Sequence, residues 1–223
     1  MKKAAVHLDS SFFLCIQLLN PNRCGFATIN SMTTEKMIFQ NEHDITRLLE
    51  KDSWRMDVLK AAVELDLPDW WIGAGFLRNA IWDAMEGKDS PPTRDVDLVY
   101  FDANNVEKET DWAYDEKMQA KYPFAEWEIR NQARMHYVNE FAPFTSTADG
   151  IAHWVETATC VATKLEDGEL KYLFCHGTDD LFGLVARPVA EFRTEKLLPV
   201  FYDRIERKKW REKWPSLKVE ANE

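Results

Sequence analysis

The stretch TRDVDLVYF, residues 93–101, constrains this chain more than any other. Its apolar run predicts a buried strand over residues 96–101, and at the start of that run two carboxylates, Asp95 and Asp97, flank a single valine. Side chains at i and i+2 of a strand point the same way, with Cα atoms roughly 7 Å apart. Two ionised carboxylates on one face repel, so the fold must supply a bound cation, a shared proton or open water. The plain reading of such a pair is a turn cap facing solvent.

What precedes the pair points to more than a cap. In LDLPDWWIGAGFLRNAIWDAMEG, Pro68 ends a helix and residues 70–72 predict a short buried strand. Gly73 and Gly75 make a turn, and a helix follows with Leu77, Ile81 and Met85 at helical spacing, closed by Gly87. A glycine turn at a helix N-terminus lets backbone N–H groups and the helix dipole face phosphate oxygens, since no Cβ blocks the approach. Downstream, AEWEIRN (125–131) predicts a strand carrying Glu128. Paired carboxylates on a strand beside the turn can hold one or two Mg²⁺ ions that bridge nucleoside triphosphate oxygens. Each part also has a structural reading: the glycines can simply turn strand into helix, Arg78 can lie on a helix surface, and Glu128 can be an exposed strand residue.

Taken together, IGAGFLRN and RDVDLVYF resemble the polymerase-β-like nucleotidyltransferase superfamily, and GAGFLR is most similar to the head domain of CCA-adding enzymes. More narrowly, residues 32–193 are similar to an uncharacterised bacterial family of short nucleotidyltransferase-like chains. The resemblance implies Asp95, Asp97 and Glu128 as metal-binding and catalytic carboxylates. It implies Gly73, Ala74 and Gly75 as the phosphate turn, with Arg78 on the triphosphate; separately, the segment RNQARMH places Arg134 and His136 near the carboxylate strand, where they could face a triphosphate or an acceptor. The implied cofactor is Mg²⁺ or Mn²⁺, and the implied partners are a nucleoside triphosphate and a small-molecule or protein acceptor. The sequence departs from the family in having Gly-Ala-Gly rather than Gly-Gly or Gly-Ser, and in a longer gap to Asp95.

The expected fold is α/β, a small mixed sheet with flanking helices. Helices are expected within 42–66 and over 106–121, the latter with Trp112 and Met118 as core residues. Two strand-forming runs around Asp167-Gly168 predict a tight hairpin. In the C-terminal third, Thr194 is a candidate N-cap and RIERKKWREKW is a basic helix end, read as complementing the helix dipole. The expected layout is a poorly ordered leader over 1–31, with Met32 as an ordinary start, a nucleotidyltransferase-like domain over 32–193 and a helical extension over 194–223. FFLCIQLL (12–19) is too short to span a bilayer.

Lys and Arg number 28 against 38 Asp and Glu, a formal charge of −10, which argues against nonspecific coating of nucleic acid. That charge leaves room for a local basic cleft; nucleic acid is the less favoured acceptor because no helical domain large enough to grip a tRNA is read in the C-terminal part, and no membrane partner is expected. Four scattered cysteines without CxxC pairs fit reduced thiols in the cytoplasm. Arg94 is read as a charge partner of the aspartates, His136 as a residue near the site, and His153 and His176 as ordinary surface positions. Two other functions fit parts of the pattern. One is a catalytically silent nucleotide- or protein-binding module of the same fold. The other is a dinucleotide-binding oxidoreductase with Asp102 on the ribose, although Arg78 stands where that motif needs a small residue.

Overall fold

The computed structural model of the chain describes residues 35–89 and 91–221; the expectations for the leader lie outside the described residues. Two capped helices come first. The Asn41 side chain accepts from the His43 N–H to open α1 (Glu42–Leu49), and Asp52 accepts from Arg55 to open α2 (Ser53–Val63). Then follow β1 (Trp71–Gly73), α3 (Gly75–Met85), β2 (Asp95–Tyr100), α4 (Lys108–Lys121) and β3 (Glu126–Asn131). A 3₁₀ segment (Gln132–Val138) and α5 (Thr147–Ala152) lead to the hairpin of β4 (Val161–Glu166) and β5 (Glu169–Phe174). Asp167 and Gly168 both take positive φ, 52° and 80°, as a two-residue hairpin turn requires.

The five strands form one sheet in the order β3-β2-β1-β4-β5. Only β2 and β3 pair in parallel, joined by the α4 crossover; β1 runs antiparallel to both β2 and β4. That direction of β1 rules out the dinucleotide-binding reading, because a Rossmann turn joins two parallel strands through its helix. Alternation along β2 and β3 splits the sheet faces. Val96, Leu98, Trp127 and Ile129 pack with Val58, Leu59 and Met118 of α2 and α4. Asp95, Asp97 and Glu128 are left on the opposite face.

On α4 the expectation for Trp112 fails: its ring is half exposed, under the Lys108 ammonium. The buried phase of the helix passes instead through Asp111 and Met118, seven residues apart and so on one face. Asp111 is fully buried because the Tyr100 hydroxyl (2.7 Å), the Asn131 N–H (3.1 Å) and Arg134 satisfy its oxygens.

The chain continues through α6 (Asp179–Phe182), β6 (Val185–Ala186), α7 (Leu198–Arg207), α8 (Trp210–Lys213) and β7 (Lys218–Val219). Pro199 sits in the first turn of α7, where its missing N–H costs nothing. Phe201, Ile205, Trp210 and Trp214 share one core with Leu77, Ile81 and Trp82 of α3. Trp82 meets Trp214 edge-on at 4.9 Å, and the Trp214 indole N–H donates to Asp83 at 2.7 Å. Residues 198–217 are thus seated against the helix that follows the glycine turn. No helix among the described residues is long and apolar enough to cross a membrane.

Candidate active site

Parallel pairing sets Asp97 of β2 opposite Glu128 of β3, and Asp95 opposite Glu126. Oxygens of Asp95, Asp97 and Glu128 all come within 4.8 Å of one another. Asp95 and Glu128 are exposed while Asp97 is half-buried between them. Burial, then the charges of Asp95 and Glu128, push the Asp97 carboxyl up to about 6, against the weaker opposing pull of Lys208 and Arg204. The repulsion inferred from the DVD motif is therefore present in the fold. Arg130 lies 3.4 Å from Glu128 but is shared with Asp115 at 2.7 Å. Arg94 is not the aspartates' partner: its guanidinium donates to the carbonyls of Pro123 and Phe124 and pins the approach to β3.

The glycine turn lies beside this cluster. Gly73 is dictated by packing, since a Cβ there would stand 2.4 Å from the Trp154 ring. Ala74 takes φ 52° and ψ −122°, a conformation that suits glycine, held by its N–H donating to the Val161 carbonyl at 3.1 Å. Gly75 opens α3 without any side-chain cap. The helix N-terminus borders a cavity of about 350 Å³ that is also lined by Arg78, Asp95, Asp97, Lys208 and Trp210. Amide dipole, cations and carboxylates meet there.

Arg78 is buried in the wall of this cavity. It donates to Thr159 Oγ1 at 2.5 Å and Asn79 Oδ1 at 2.8 Å, and its guanidinium lies 4.2 Å from the Trp210 ring centroid. Burial lowers its pKa to about 10, with Glu156 acting in the opposite direction, so it stays cationic at neutral pH. Glu156 is fully buried: it accepts from Thr159 at 2.8 Å and pairs with Arg204 Nε of α7 at 3.0 Å. A buried carboxylate thus holds a guanidinium from the C-terminal helices beside Arg78. Lys208 and Lys213 complete the cationic side, and burial lowers the pKa of both.

A second cavity of about 270 Å³ lies across Asp97 and shares Ala74, Asp97 and Arg204 with the first. Glu128, Phe141, Phe144, His153 and Trp154 line it.

Of the residues singled out from sequence, Asp95, Asp97, Glu128, Gly73, Ala74, Gly75 and Arg78 come together. Arg134 does not join them: its guanidinium is committed to buried Asp111, and it lines neither cavity. His136 is buried against Tyr137 and Phe144 and lines neither cavity. Sequence reasoning missed Glu156, Arg204, Lys208, Lys213 and His153. For Arg204, Lys208 and Lys213 the available signal was the i, i+4 spacing of Trp210 and Trp214 inside RIERKKWREKW, which turns one edge of a basic segment inward.

A model of a nucleotidyltransferase family matches residues 60–219. Among solved structures, the chain is similar to one described as revealing a CCA-adding enzyme head domain, at 27% identity and a TM-score of 0.74, over 82% of this chain and 97% of that one. It is also similar to a CCA-adding enzyme in complex with CTP (17% identity, TM-score 0.49, 83% of this chain and 44% of that one). A complex of such an enzyme with ATP gives 17% identity and a TM-score of 0.47, over 83% and 43%. The chain spans less than half the length of those two enzymes. No curated protein matches it. With the family match running from α2 to β7, across the carboxylate strand and the cationic helices alike, the chain belongs to this nucleotidyltransferase family, of the polymerase-β-like kind.

Proposed function

We propose that the protein is a divalent-cation-dependent nucleotidyltransferase that moves a nucleoside monophosphate from a nucleoside triphosphate to a hydroxyl acceptor, releasing pyrophosphate. The observation that carries this reading is the position of the Asp95, Asp97 and Glu128 cluster at the border of the cationic cavity. The donor set fits a hard cation such as Mg²⁺ or Mn²⁺, being three carboxylates within ligand reach. Their mutual charge is under-compensated, as the raised pKa of Asp97 indicates. Asp95 and Asp97 would hold the ion, with Glu128 at its edge. When bound, Mg²⁺ or Mn²⁺ offsets phosphate charge and acidifies a nearby hydroxyl.

The protein's own groups account for the rest. The Gly75 end of α3 presents backbone N–H groups and the positive end of its dipole to phosphate oxygens. Arg78, Lys208 and Lys213 neutralise the triphosphate and the departing pyrophosphate. Glu128 takes the proton from the acceptor hydroxyl as the oxygen attacks the α-phosphorus and the bond to the bridging oxygen of pyrophosphate breaks. The proposed setting is the cytoplasm.

Incubation with each nucleoside triphosphate and Mg²⁺ tests this. Pyrophosphate release should require the metal and fall about a hundredfold or more in the Asp95→Ala, Asp97→Ala double variant. Equal release from both proteins would reject the reading. Ala74, which puts a methyl where a hydroxyl would meet phosphate, favours the silent-module alternative; tight nucleotide binding with no product would establish it.

A further inference from the structure

The aromatic cavity beyond Asp97 has a use that nucleotidyl transfer leaves open, and the following rests on that reading. With the triphosphate in the cationic cavity, pyrophosphate leaves toward Arg78 and Lys208. In-line displacement then brings the acceptor oxygen from the opposite side of the carboxylates. Next to the carboxylates, outside the cationic cavity, lies the second cavity, with Glu128 on its wall and Asp97 shared between the two.

Its walls select by chemistry. Phe141 and Phe144 lie 5.3 Å and 5.0 Å from the His153 ring, and Phe141 lies 6.2 Å from Phe192, so rings line one side continuously. Val138 also lines the cavity while 68% exposed, an apolar surface that folding leaves uncovered. Gln132 and Asn139 add amides able to orient a ring heteroatom or hydroxyl. The cations at its walls are already paired, Arg130 with Asp115 and Glu128, and Arg204 with Glu156. A polynucleotide acceptor needs free cations for its phosphates, and this cavity does not offer them. Its volume of about 270 Å³ suits a single small ring system.

We infer that this cavity is the acceptor site, and that the acceptor is a small, uncharged or cationic molecule whose flat apolar ring carries the hydroxyl that receives the nucleotide. That hydroxyl gives its proton to Glu128, its oxygen bonds to the α-phosphorus, and pyrophosphate leaves with the electrons of the broken P–O bond.

The test uses the full chain, Mg²⁺ and α-labelled nucleoside triphosphates with three acceptor groups: phenols and hydroxylated aromatic heterocycles, polyhydroxylated sugars, and tRNA. Label is expected on a hydroxylated aromatic compound. Phe144→Ala should raise that acceptor's KM about tenfold or more, with the nucleotide KM moving less than twofold. Val138→Asp, at the exposed rim where folding is indifferent, should act in the same direction. Label on sugars or tRNA overturns the inference while leaving nucleotidyl transfer standing. So does a change confined to the nucleotide KM, which would make the cavity a base pocket, or Mg²⁺-nucleotide binding without transfer to any compound in the panel. Absence of Mg²⁺-dependent nucleotide binding overturns both readings together.

Discussion

Replacing Asp97 by asparagine should make the metal-free protein more stable while destroying its chemistry. Asp97 lies between two exposed carboxylates on the floor of the site, and its pKa rises from the ordinary 3.8 to about 6. The native state therefore holds this proton more tightly than the unfolded chain does. The stability it contributes is fully present below about pH 3.8, falls as pH rises toward 6, and is absent at pH 7. The gap corresponds to about 3 kcal/mol at most. Asparagine cannot ionise, so in EDTA at pH 7.5 Asp97→Asn should be more stable by about 1–3 kcal/mol, with the advantage gone near pH 4. Urea denaturation at the two pH values reads this directly, as a shift in midpoint at constant slope. Saturating Mg²⁺ should stabilise the wild type and not the variant, closing or reversing the gap. A variant less stable than wild type in EDTA at pH 7.5 would mean that Lys208 and Arg204 already satisfy the ionised carboxylate, and would refute the reasoning from crowded charge.

Three other outcomes follow from the same structure. Glu156→Leu leaves the Arg78 and Arg204 guanidiniums without their buried anion and should cost about 3 kcal/mol or more in urea denaturation; a loss below about 1 kcal/mol would deny it a structural role. Gly73→Ala drives a methyl to 2.4 Å from Trp154 and should cost about 1–3 kcal/mol, read as a lowered Tm; an unchanged Tm would show that Trp154 yields freely. Lys208→Met removes an ammonium from the wall of the cationic cavity and should raise the nucleotide KM about tenfold, with a reduced dependence on ionic strength; an unchanged KM would place the triphosphate elsewhere.

The parts of the site legible in the sequence are those fixed by local chain direction. The period of a strand places Asp95 and Asp97 on one face, the spacing of AEWEIRN puts Glu128 on the same face of the neighbouring strand, and the glycines mark the turn into α3. The hairpin at Asp167-Gly168 and both N-terminal helices are local in the same sense. The cationic half was not legible, because it is made by tertiary packing. Arg204 and Lys208 reach the cavity only because Trp210 and Trp214 dock against Trp82, more than a hundred residues earlier in the chain. Read alone, RIERKKWREKW looks like the ordinary complement of a helix dipole. Glu156 gives no sequence signal at all, being one acid in a connecting segment until burial between two arginines gives it a role. Trp112 failed for a related reason: the satisfied polar network around Asp111 outweighed a large apolar side chain in setting the phase of α4.

Whether the carboxylate cluster holds a divalent cation beside a nucleotide is decided by Mn²⁺ titration followed by electron paramagnetic resonance, with and without a non-hydrolysable nucleoside triphosphate. Mn²⁺ binding should tighten when the nucleotide is present and be lost in the Asp95→Asn, Asp97→Asn variant, whose helices and sheet remain intact by circular dichroism. Equal Mn²⁺ binding by the two proteins, or binding indifferent to the nucleotide, would contradict such a site.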